Sequence, residues 1–240
     1  MSKRKLNYLN LSIEPYKKIW DVQLILHKLR FENKINDTLI LLEHKHVYTL
    51  GKIAKQEHLL FPAELLKNQN IDIFEIDRGG DITYHGPGQI VGYPIIHLSD
   101  WKEDIHLYLR ELEEVIIKTL QEFGITSNRL SGLTGVWIGD EKICAIGIKV
   151  SKWVTMHGFA FNVNTDLSYF NKIIPCGIRD KGVTSLQKVL FREINIEEVK
   201  EVLLKNFIKI FSYDEIENFT SIDLLLNSSQ KKNLEGTYVV

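Results

Sequence analysis

The chain has 240 residues, of which 44% are hydrophobic and 25% charged, and its formal net charge is −1. This composition is typical of a soluble globular protein, and the balanced charge gives no reason to expect nucleic acid or a membrane as partner. No segment approaches the ~20 apolar residues of a membrane span, and the basic start lacks the apolar run of a signal peptide. Two cysteines, Cys144 and Cys176, are too few for a disulfide framework, so we expect free thiols and a cytoplasmic protein.

Strand and helix patterns alternate along the first third of the chain. Residues 6–13 alternate apolar and polar side chains as a strand does, and Pro15 suits the first turn of a helix that reaches residue 30. One face of that helix is predicted to be formed by Ile19, Val22, Ile25, Leu26 and Leu29. The next predicted elements are a strand, a turn and a strand over residues 39–42 and 47–51, a short helix over 62–68 and a strand over 71–76.

A glycine-rich run over residues 78–94 follows, with five of the chain's 15 glycines and two of its five prolines. Glycine at this density usually marks a sharp turn or a close approach of the backbone to another group. We interpret the run as a turn between the strand over 71–76 and a second strand over 90–96. An ordinary hairpin loop is the alternative, but it explains poorly why several polar side chains crowd one segment: Arg78, Asp81, Tyr84, His85 and Gln89. The run is therefore a candidate floor for a binding site.

The second half of the chain predicts two long helices separated by strands. Apolar residues from Ile105 to Phe123 form one helical stripe that Gly124 ends, and a second helix is predicted over 196–211. Between them lie strands over 135–138, 142–150 and 159–163, the first two joined by a tight turn. The predicted fold is α/β (α+β), a mixed, largely antiparallel sheet flanked by helices. We expect a single domain over residues 1–220 and a peripheral tail over 221–240.

The two cysteines have different surroundings. Cys176 lies between a proline and a glycine, as in a loop, where a thiolate could reach a substrate and attack an acyl carbonyl. Cys144 lies in an apolar strand and is predicted to belong to the core. Lys142 begins that strand, where it is either a solvated end or a cleft residue that steadies a thiolate or takes a proton.

Several other residues and patterns bear on the chemistry. His44, His46, His85 and His157 are alternative bases for a thiol nucleophile. The spacing of His44 and His46 relative to either cysteine matches no zinc motif, so no metal is expected. Walker, dinucleotide-binding and Gly-x-Ser-x-Gly patterns are absent from the sequence.

The motifs together resemble a known family. Residues 78–89 read Arg-Gly-Gly-Asp-Ile-Thr-Tyr-His-Gly-Pro-Gly-Gln, and this run closely resembles the signature of the lipoyl(octanoyl) transferases. Further matching segments follow the family's order: Val47-Tyr48-Thr49-Leu50-Gly51, Gly135-Val136-Trp137, Lys142 through Gly147, His157-Gly158-Phe159-Ala160-Phe161-Asn162-Val163, and Pro175-Cys176-Gly177 followed by Val183-Thr184-Ser185. The resemblance covers about residues 38–190, and the ordered set is more specific than any single motif.

The resemblance implies a fold shared with lipoate–protein and biotin–protein ligases, and an activity that needs no cofactor or metal. It implies transfer of an octanoyl group from octanoyl-acyl carrier protein to a lysine ε-amine, the first step of endogenous lipoate biosynthesis. The acceptors would be lipoyl domains of 2-oxoacid dehydrogenase E2 subunits and the glycine cleavage H protein. Cys176 would be the nucleophile and Lys142 its acid–base partner. The remaining positions implied to shape the substrate cleft are Arg78, Gly79, Gly80, Asp81, Thr83, Tyr84, His85, Gly86, Gly88, Gln89, Ala145, Ile146, Gly147, His157, Gly158, Phe159 and Ala160.

Other function classes remain open from the sequence. A lipoate or biotin ligase of the same fold would activate a free acid with ATP and would need no cysteine nucleophile, so the loop cysteine counts against it. A non-catalytic binder of carrier proteins or lipoyl domains would keep the cleft without turnover. A hydrolytic thiol enzyme would need a site that admits water.

Overall fold

The computed structural model describes residues 3–174 and 181–235. Side chains outside the helices often fix where a helix begins: Asp104 accepts a hydrogen bond from the Leu107 amide, and Asn195 accepts one from the Glu197 amide. The helices and strands, in chain order, are β1 (Lys5–Glu14), α1 (Tyr16–Phe31), β2 (Asp37–His44), β3 (Val47–Leu50), α2 (Ala63–Lys67), β4 (Asp72–Glu75), β5 (Ile82–His85), β6 (Gln89–Ile95), α3 (Ile105–Glu122), β7 (Asn128–Leu130), β8 (Leu133–Ile138), β9 (Glu141–Ser151), β10 (Val154–Asn162), β11 (Gly182–Val183), α4 (Leu186–Leu190), α5 (Ile196–Phe211), β12 (Glu215–Phe219) and α6 (Ile222–Glu235).

The main sheet has nine strands in the described ranges. Eight of them follow the order β12-β1-β2-β6-β10-β9-β8-β7, and β11 pairs with β9 beside this path. Strand β1 runs parallel to both β12 and β2. The remaining neighbours along this order, β2–β6, β6–β10, β10–β9, β9–β8 and β8–β7, pair antiparallel. The predicted mixed, largely antiparallel sheet is therefore confirmed.

Helices cover both faces of this sheet. Side chains alternate across a strand, so Leu39 and Leu41 of β2 pack in one apolar cluster while Ile40 and Leu42 pack in another. The first cluster includes residues of α3 and α5, and the second includes residues of α1 and α6. Leu225 of α6 is fully buried in the second cluster. None of the helices in residues 3–174 and 181–235 is long and apolar enough to cross a membrane.

A smaller sheet has the order β4-β3-β5. Its strand β5 lies inside the glycine-rich run, so the prediction of a simple turn between two strands was wrong at that point. Ile82 and Tyr84 of β5 pack in a third apolar cluster with Tyr48 and Phe170, and this burial extends the backbone into a strand that pairs with β3. The predicted strand, turn and strand over 39–42 and 47–51 exists, but β2 and β3 belong to different sheets.

The predicted helix faces need two corrections. Ile25 in α1 is 46% exposed and Ile105 in α3 is 40% exposed. Ile25 lies about 120° around the helix from Ile19, at 100° per residue, which carries it past the edge of the buried face. Ile105 is the first residue of α3, and the buried side chains of this helix begin about one helical turn later, at Tyr108.

Candidate functional site

A cavity of about 50 Å³ lies between the glycine-rich run and the β9–β10 hairpin. We name it the slot. Its first wall is residues 78–85, and its second wall is residues 145–147 and 157–160. Of the residues predicted to shape a cleft, the structure brings these into its lining: Arg78, Gly80, Asp81, Thr83, His85, Ala145, Ile146, Gly147, His157, Gly158, Phe159 and Ala160. Residues from all three predicted cleft segments, far apart in the sequence, therefore meet at one place.

Several predicted cleft residues lie elsewhere. Tyr84 points away from the slot, because its ring stacks on Tyr169 at 4.8 Å and its hydroxyl lies 2.8 Å from Nδ1 of His46. Gly86 and Gly88 belong to the connection between β5 and β6 and do not line the slot. The lining also includes Tyr16, Val91 and Tyr93, which sequence reasoning missed. Val91 and Tyr93 lie inside the glycine-rich run but were not singled out within it, whereas no local signal points to Tyr16, since α1 reaches the slot only through the tertiary fold.

Side-chain hydrogen bonds hold the first wall in place. The Arg78 guanidinium donates to the carbonyl oxygen of Thr49 at 2.8 Å and to its hydroxyl at 3.0 Å. Asp81 accepts the backbone N–H of Ile82 at 2.7 Å, and its other carboxylate oxygen lies 2.6 Å from Nδ1 of His58. These bonds tie the run to β3 and to the loop after it, so the wall depends on polar partners outside itself.

A buried hydrogen-bond chain continues from this wall into the main sheet. Gln89 donates to the Tyr84 carbonyl at 3.1 Å and to the Asn162 side-chain oxygen at 2.9 Å. Its amide oxygen must then accept from Nδ1 of His85, 2.8 Å away. The proton therefore lies on Nδ1 of a neutral imidazole. Burial lowers the pKa of His85 to about 3, chiefly by desolvation, so the imidazole stays neutral near pH 7 and does not act as a general acid.

Backbone contacts form the second wall. Gly147 in β9 pairs with Gly158 in β10. A Cβ atom on Gly158 would lie 2.2 Å from the carbonyl oxygen of Gly92, so only glycine allows β10 to approach β6 this closely. His157 has a positive φ of 59°, and its Nε2 lies 2.8 Å from a carboxylate oxygen of Asp77. Burial lowers the pKa of His157 despite this carboxylate.

Lys142 lies at the junction of two further cavities. A small one of about 20 Å³ shares Thr83, Ala145 and Ala160 with the slot, and Gln89 also lines it. A wider one of about 330 Å³, which we name the groove, lies on the other side of residues 146–147. Lys142 lines both. The cleft reading of Lys142 is therefore favoured over a solvated strand end.

Residues of β8 support the Lys142 side chain. Its ammonium lies 4.7 Å from the ring centre of Trp137, which is buried. Gly135 has a φ of 122°, and a Cβ there would lie 2.6 Å from the Cys144 carbonyl and 3.4 Å from Lys142 Cε. The buried Glu113 of α3 accepts the Gly135 N–H at 2.9 Å and fixes this part of β8. In the Gly-Val-Trp motif the glycine thus allows β8 to approach the Cys144 carbonyl, and the tryptophan places a ring beside the Lys142 ammonium.

The two cysteines have different outcomes. Cys144 is fully buried, as predicted, and burial raises the pKa of its thiol far above the usual range. Cys176, with Pro175 and Gly177, lies outside the described residues. The described chain on either side is anchored: the Ile174 N–H donates to the His58 carbonyl at 2.8 Å, and the Thr184 N–H donates to the Lys142 carbonyl at 3.0 Å. Thr184, in the described chain that resumes at residue 181, is thus next to the site lysine.

The other candidate bases are bonded within the fold. His44 lies 2.7 Å from the Tyr93 hydroxyl and 2.9 Å from the Glu14 carbonyl, and burial lowers its pKa to about 4. His46 stacks on Tyr169 at 4.5 Å. Within the part of the chain that the structure describes, no three His, Cys, Asp or Glu side chains are grouped to hold a metal ion.

Comparison with known proteins gives the family. Residues 15–208 match the family model for the lipoyl protein ligase A/B catalytic domain. An octanoyltransferase of Christiangramia forsetii is 52% identical over an alignment of 219 positions that covers 84% of this chain and 94% of that protein. An octanoyltransferase of Caldicellulosiruptor saccharolyticus is 50% identical over an alignment of 209 positions that covers 86% of this chain and 89% of that protein.

Solved structures agree in fold. Lipoate-protein ligase A bound with ATP superposes with a TM-score of 0.70 at 18% identity, covering 96% of this chain and 95% of that one. Biotin protein ligase from Aquifex aeolicus in complex with biotin and ATP gives a TM-score of 0.51 at 15% identity, covering 87% and 70%. The fold expected from the motifs is thereby confirmed. With the family model matching most of its length, the chain is a member of the lipoyl protein ligase A/B catalytic domain family.

Proposed function

We propose that this chain is an octanoyltransferase, an acyltransferase that moves an octanoyl group from octanoyl-acyl carrier protein to a lysine ε-amine of lipoyl domains. This reaction is the first step of endogenous lipoate biosynthesis. The observation that carries the proposal is the identity of about half, over more than four-fifths of the chain, to relatives named octanoyltransferase. The acceptor class is supported by the family. It is also supported by a structural neighbour, a bi-partite lipoate protein ligase from Thermoplasma acidophilum described together with its E2 lipoyl domain.

The chemistry of the slot suits an acyl chain. Its second wall offers backbone and the apolar side chains of Ala145, Ile146, Phe159 and Ala160. In its first wall the charged side chains of Arg78 and Asp81 are hydrogen-bonded to Thr49 and His58. Burial of an eight-carbon chain at ~0.8 kcal/mol per methylene supplies several kcal/mol of binding free energy. In this proposal the slot, at about 50 Å³ too small for the whole chain as it stands, widens when the chain enters, and the acyl carbonyl lies near Lys142.

The proposed first step forms an acyl-enzyme. Lys142 takes the proton of the Cys176 thiol and becomes an ammonium, and the thiolate attacks the carbonyl carbon of the carrier thioester. When the tetrahedral intermediate collapses, the bond to the carrier's sulfur breaks and Lys142 returns the proton to that sulfur. One thioester replaces another, so the step is nearly balanced in free energy and needs no nucleotide.

The second step transfers the chain to the acceptor. The lysine of the lipoyl domain first loses one proton to solvent, and its neutral ε-amine then attacks the octanoyl thioester on Cys176 while Lys142 removes a second proton from the attacking nitrogen. An amide bond forms, the bond to Cys176 sulfur breaks, and Lys142 returns the proton to that sulfur. An amide is more stable than a thioester, so this step makes the overall transfer favourable. The arrangement of Lys142 beside the slot and beside the residues that follow position 180 supports this assignment of roles.

Intact-mass spectrometry tests the acyl-enzyme. Wild-type protein incubated with octanoyl-acyl carrier protein and no ATP is expected to gain one octanoyl group, and Cys176→Ala is expected to gain none. Cys144→Ala is the matched control, because its thiol is buried in the core, and it should be labelled like wild type. Addition of a lipoyl domain should then remove the adduct and octanoylate the domain. Equal labelling of Cys176→Ala and wild type, or transfer that requires ATP and free octanoate, would refute the proposal.

A further inference from the structure

The groove is a second binding surface that the acyl chain does not need. Its volume of about 330 Å³ is at the lower end of the range for small-molecule sites. It lies between Ile53, Leu109 of α3, the beginning of β8 and residues 146–148 of β9. It shares Gly80, Asp81, Ile146 and Gly147 with the slot, so one thin wall separates the two cavities. Lys142 lines the groove at the point where the acyl carbonyl is proposed to lie.

The lining of the groove selects for a neutral ligand. Most of its side chains are aliphatic, glycine backbone is accessible, and Thr134 offers a hydroxyl. Among the described residues that line it, Lys142 is the one cationic side chain, which is too little charge for a polyphosphate. The one carboxylate, Asp81, is already bonded to Ile82 and His58. A ligand with amide groups and apolar branches matches these surroundings.

We propose that the groove binds the pantetheine arm of the thioester donor. This inference rests on the proposed function, in which an acyl thioester enters the slot and its sulfur must leave past Lys142. The arm is a neutral chain with two amides and a dimethyl branch, so it offers both hydrogen-bonding groups and apolar surface to the lining. The alternative occupant, the acceptor's lysine, carries an ammonium that an apolar groove ending at Lys142 disfavours. The acceptor therefore approaches from another side.

Donors of increasing length test the groove. Octanoyl-N-acetylcysteamine carries the acyl group with only the sulfur end of the arm, whereas octanoyl-pantetheine carries the whole arm. Wild-type kcat/KM is expected to be about tenfold higher or more for the longer donor, since burial of two methyl groups suffices for such a gain. Leu109→Trp should fill the groove and reduce that ratio to about one. Octanoyl-coenzyme A and octanoyl-acyl carrier protein share the arm, and both should lose the same factor as octanoyl-pantetheine.

Matched variants separate the groove from general damage. Ile53 is 69% exposed on a loop, so Ile53→Ser does not threaten folding, and it should lower the ratio about threefold. Leu24 on α1 is 45% exposed and lies outside the groove, and Leu24→Trp and Leu24→Ser should keep the wild-type ratio. The KM for the lipoyl domain should not change in Leu109→Trp.

The outcomes distinguish this inference from the proposed function. A wild-type ratio near one, an unchanged ratio in Leu109→Trp, or a raised KM for the lipoyl domain without a change in ratio would overturn the arm assignment while leaving octanoyl transfer intact. If no thioester supports transfer, the proposed function fails instead. Saturation-transfer NMR with free pantetheine then tests the groove alone: binding that is lost in Leu109→Trp and kept in Leu24→Trp supports it, and absence of binding refutes it.

Discussion

The two walls of the slot are held by different forces. The first wall depends on hydrogen bonds from side chains such as Thr49, His58 and Gln89. The second wall depends on backbone pairing and on glycines that allow three strands to lie close together. A wall of the first kind tolerates small changes in shape but not the loss of a polar partner. A wall of the second kind tolerates little change in shape, because backbone atoms cannot move aside alone.

The largest effect is expected from Gly158→Ala in the second wall. The added Cβ would lie 2.2 Å from the Gly92 carbonyl oxygen and 2.7 Å from Cδ of Pro94, so β10 and β6 must separate. We expect a loss of about 3 kcal/mol or more in the free energy of unfolding, as in overpacked cores, together with loss of octanoyl transfer. Urea denaturation measures the first effect.

Gly79→Ala is the corresponding control in the first wall. Its Cβ would meet one atom, the Ile148 carbonyl oxygen, at 3.3 Å, and Gly79 is exposed. This variant should lose no more than about 1 kcal/mol. If the two alanine variants unfolded at the same urea concentration, the claim that the second wall tolerates less change in shape than the first would be wrong.

The second largest effect is expected from Gln89→Leu. The leucine leaves His85 Nδ1, the Tyr84 carbonyl and the Asn162 side-chain oxygen without a buried partner. Each unsatisfied group costs about 1–3 kcal/mol, offset in part where water enters, so we expect a loss of about 2–3 kcal/mol. The exposed Gln121→Leu on α3 is the control and should be nearly neutral. A Gln89→Leu protein as stable as the control would contradict a wall held by polar partners.

Much of the fold could be predicted because its signals are local. The helix expected over 196–211 has the observed bounds of α5, and the strands on either side of Gly139 form the expected hairpin. Strand β5 could not be predicted, because its partner β3 lies about thirty residues earlier and both of its faces are buried. Ile25 was misplaced because periodicity gives the direction of the buried face of α1 but not how far around the helix the contact with the sheet extends.

The residues that line the site could be predicted better than the contacts that bring them together. The motifs named residues that do line the slot, yet the approach of Tyr16 and Tyr93 depends on how α1 and β6 pack, and no spacing encodes that. The support of Lys142 by Trp137 follows from the β8–β9 pairing, not from the motif itself. The pairing of Lys142 with Cys176 stays a prediction, since Cys176 lies outside the described residues.

A smaller effect concerns pH and the neutral histidines behind the first wall. Burial lowers the pKa of His85 to about 3 and that of His44 to about 4, against an ordinary value of 6.5. The unfolded chain therefore binds more protons below pH 6.5, so stability is greatest above that pH and falls as the pH decreases. From pH 6.5 to 5.5 the two histidines together should remove about 2 kcal/mol. Urea denaturation at both pH values measures this, and His85→Gln should lose about half of that dependence.

The smallest effect is expected beyond the second wall, at Trp137. Its ring lies 4.7 Å from the Lys142 ammonium, and a cation–π contact of about 1 kcal/mol corresponds to about fivefold in rate if it positions the lysine for proton transfer. Trp137→Leu should therefore lower kcat for acylation by about fivefold with little change in KM, and Trp137→Phe, which keeps a ring face, should recover part of it. Trp153→Leu is the control, because Trp153 is 39% exposed and distant from Lys142 in the β-sheet register. If phenylalanine and leucine at position 137 lowered stability but gave equal kcat per folded molecule, Trp137 would only pack against Lys142 and would not position it. The part of the sheet that supports catalysis would then end at β9 and would not include β8.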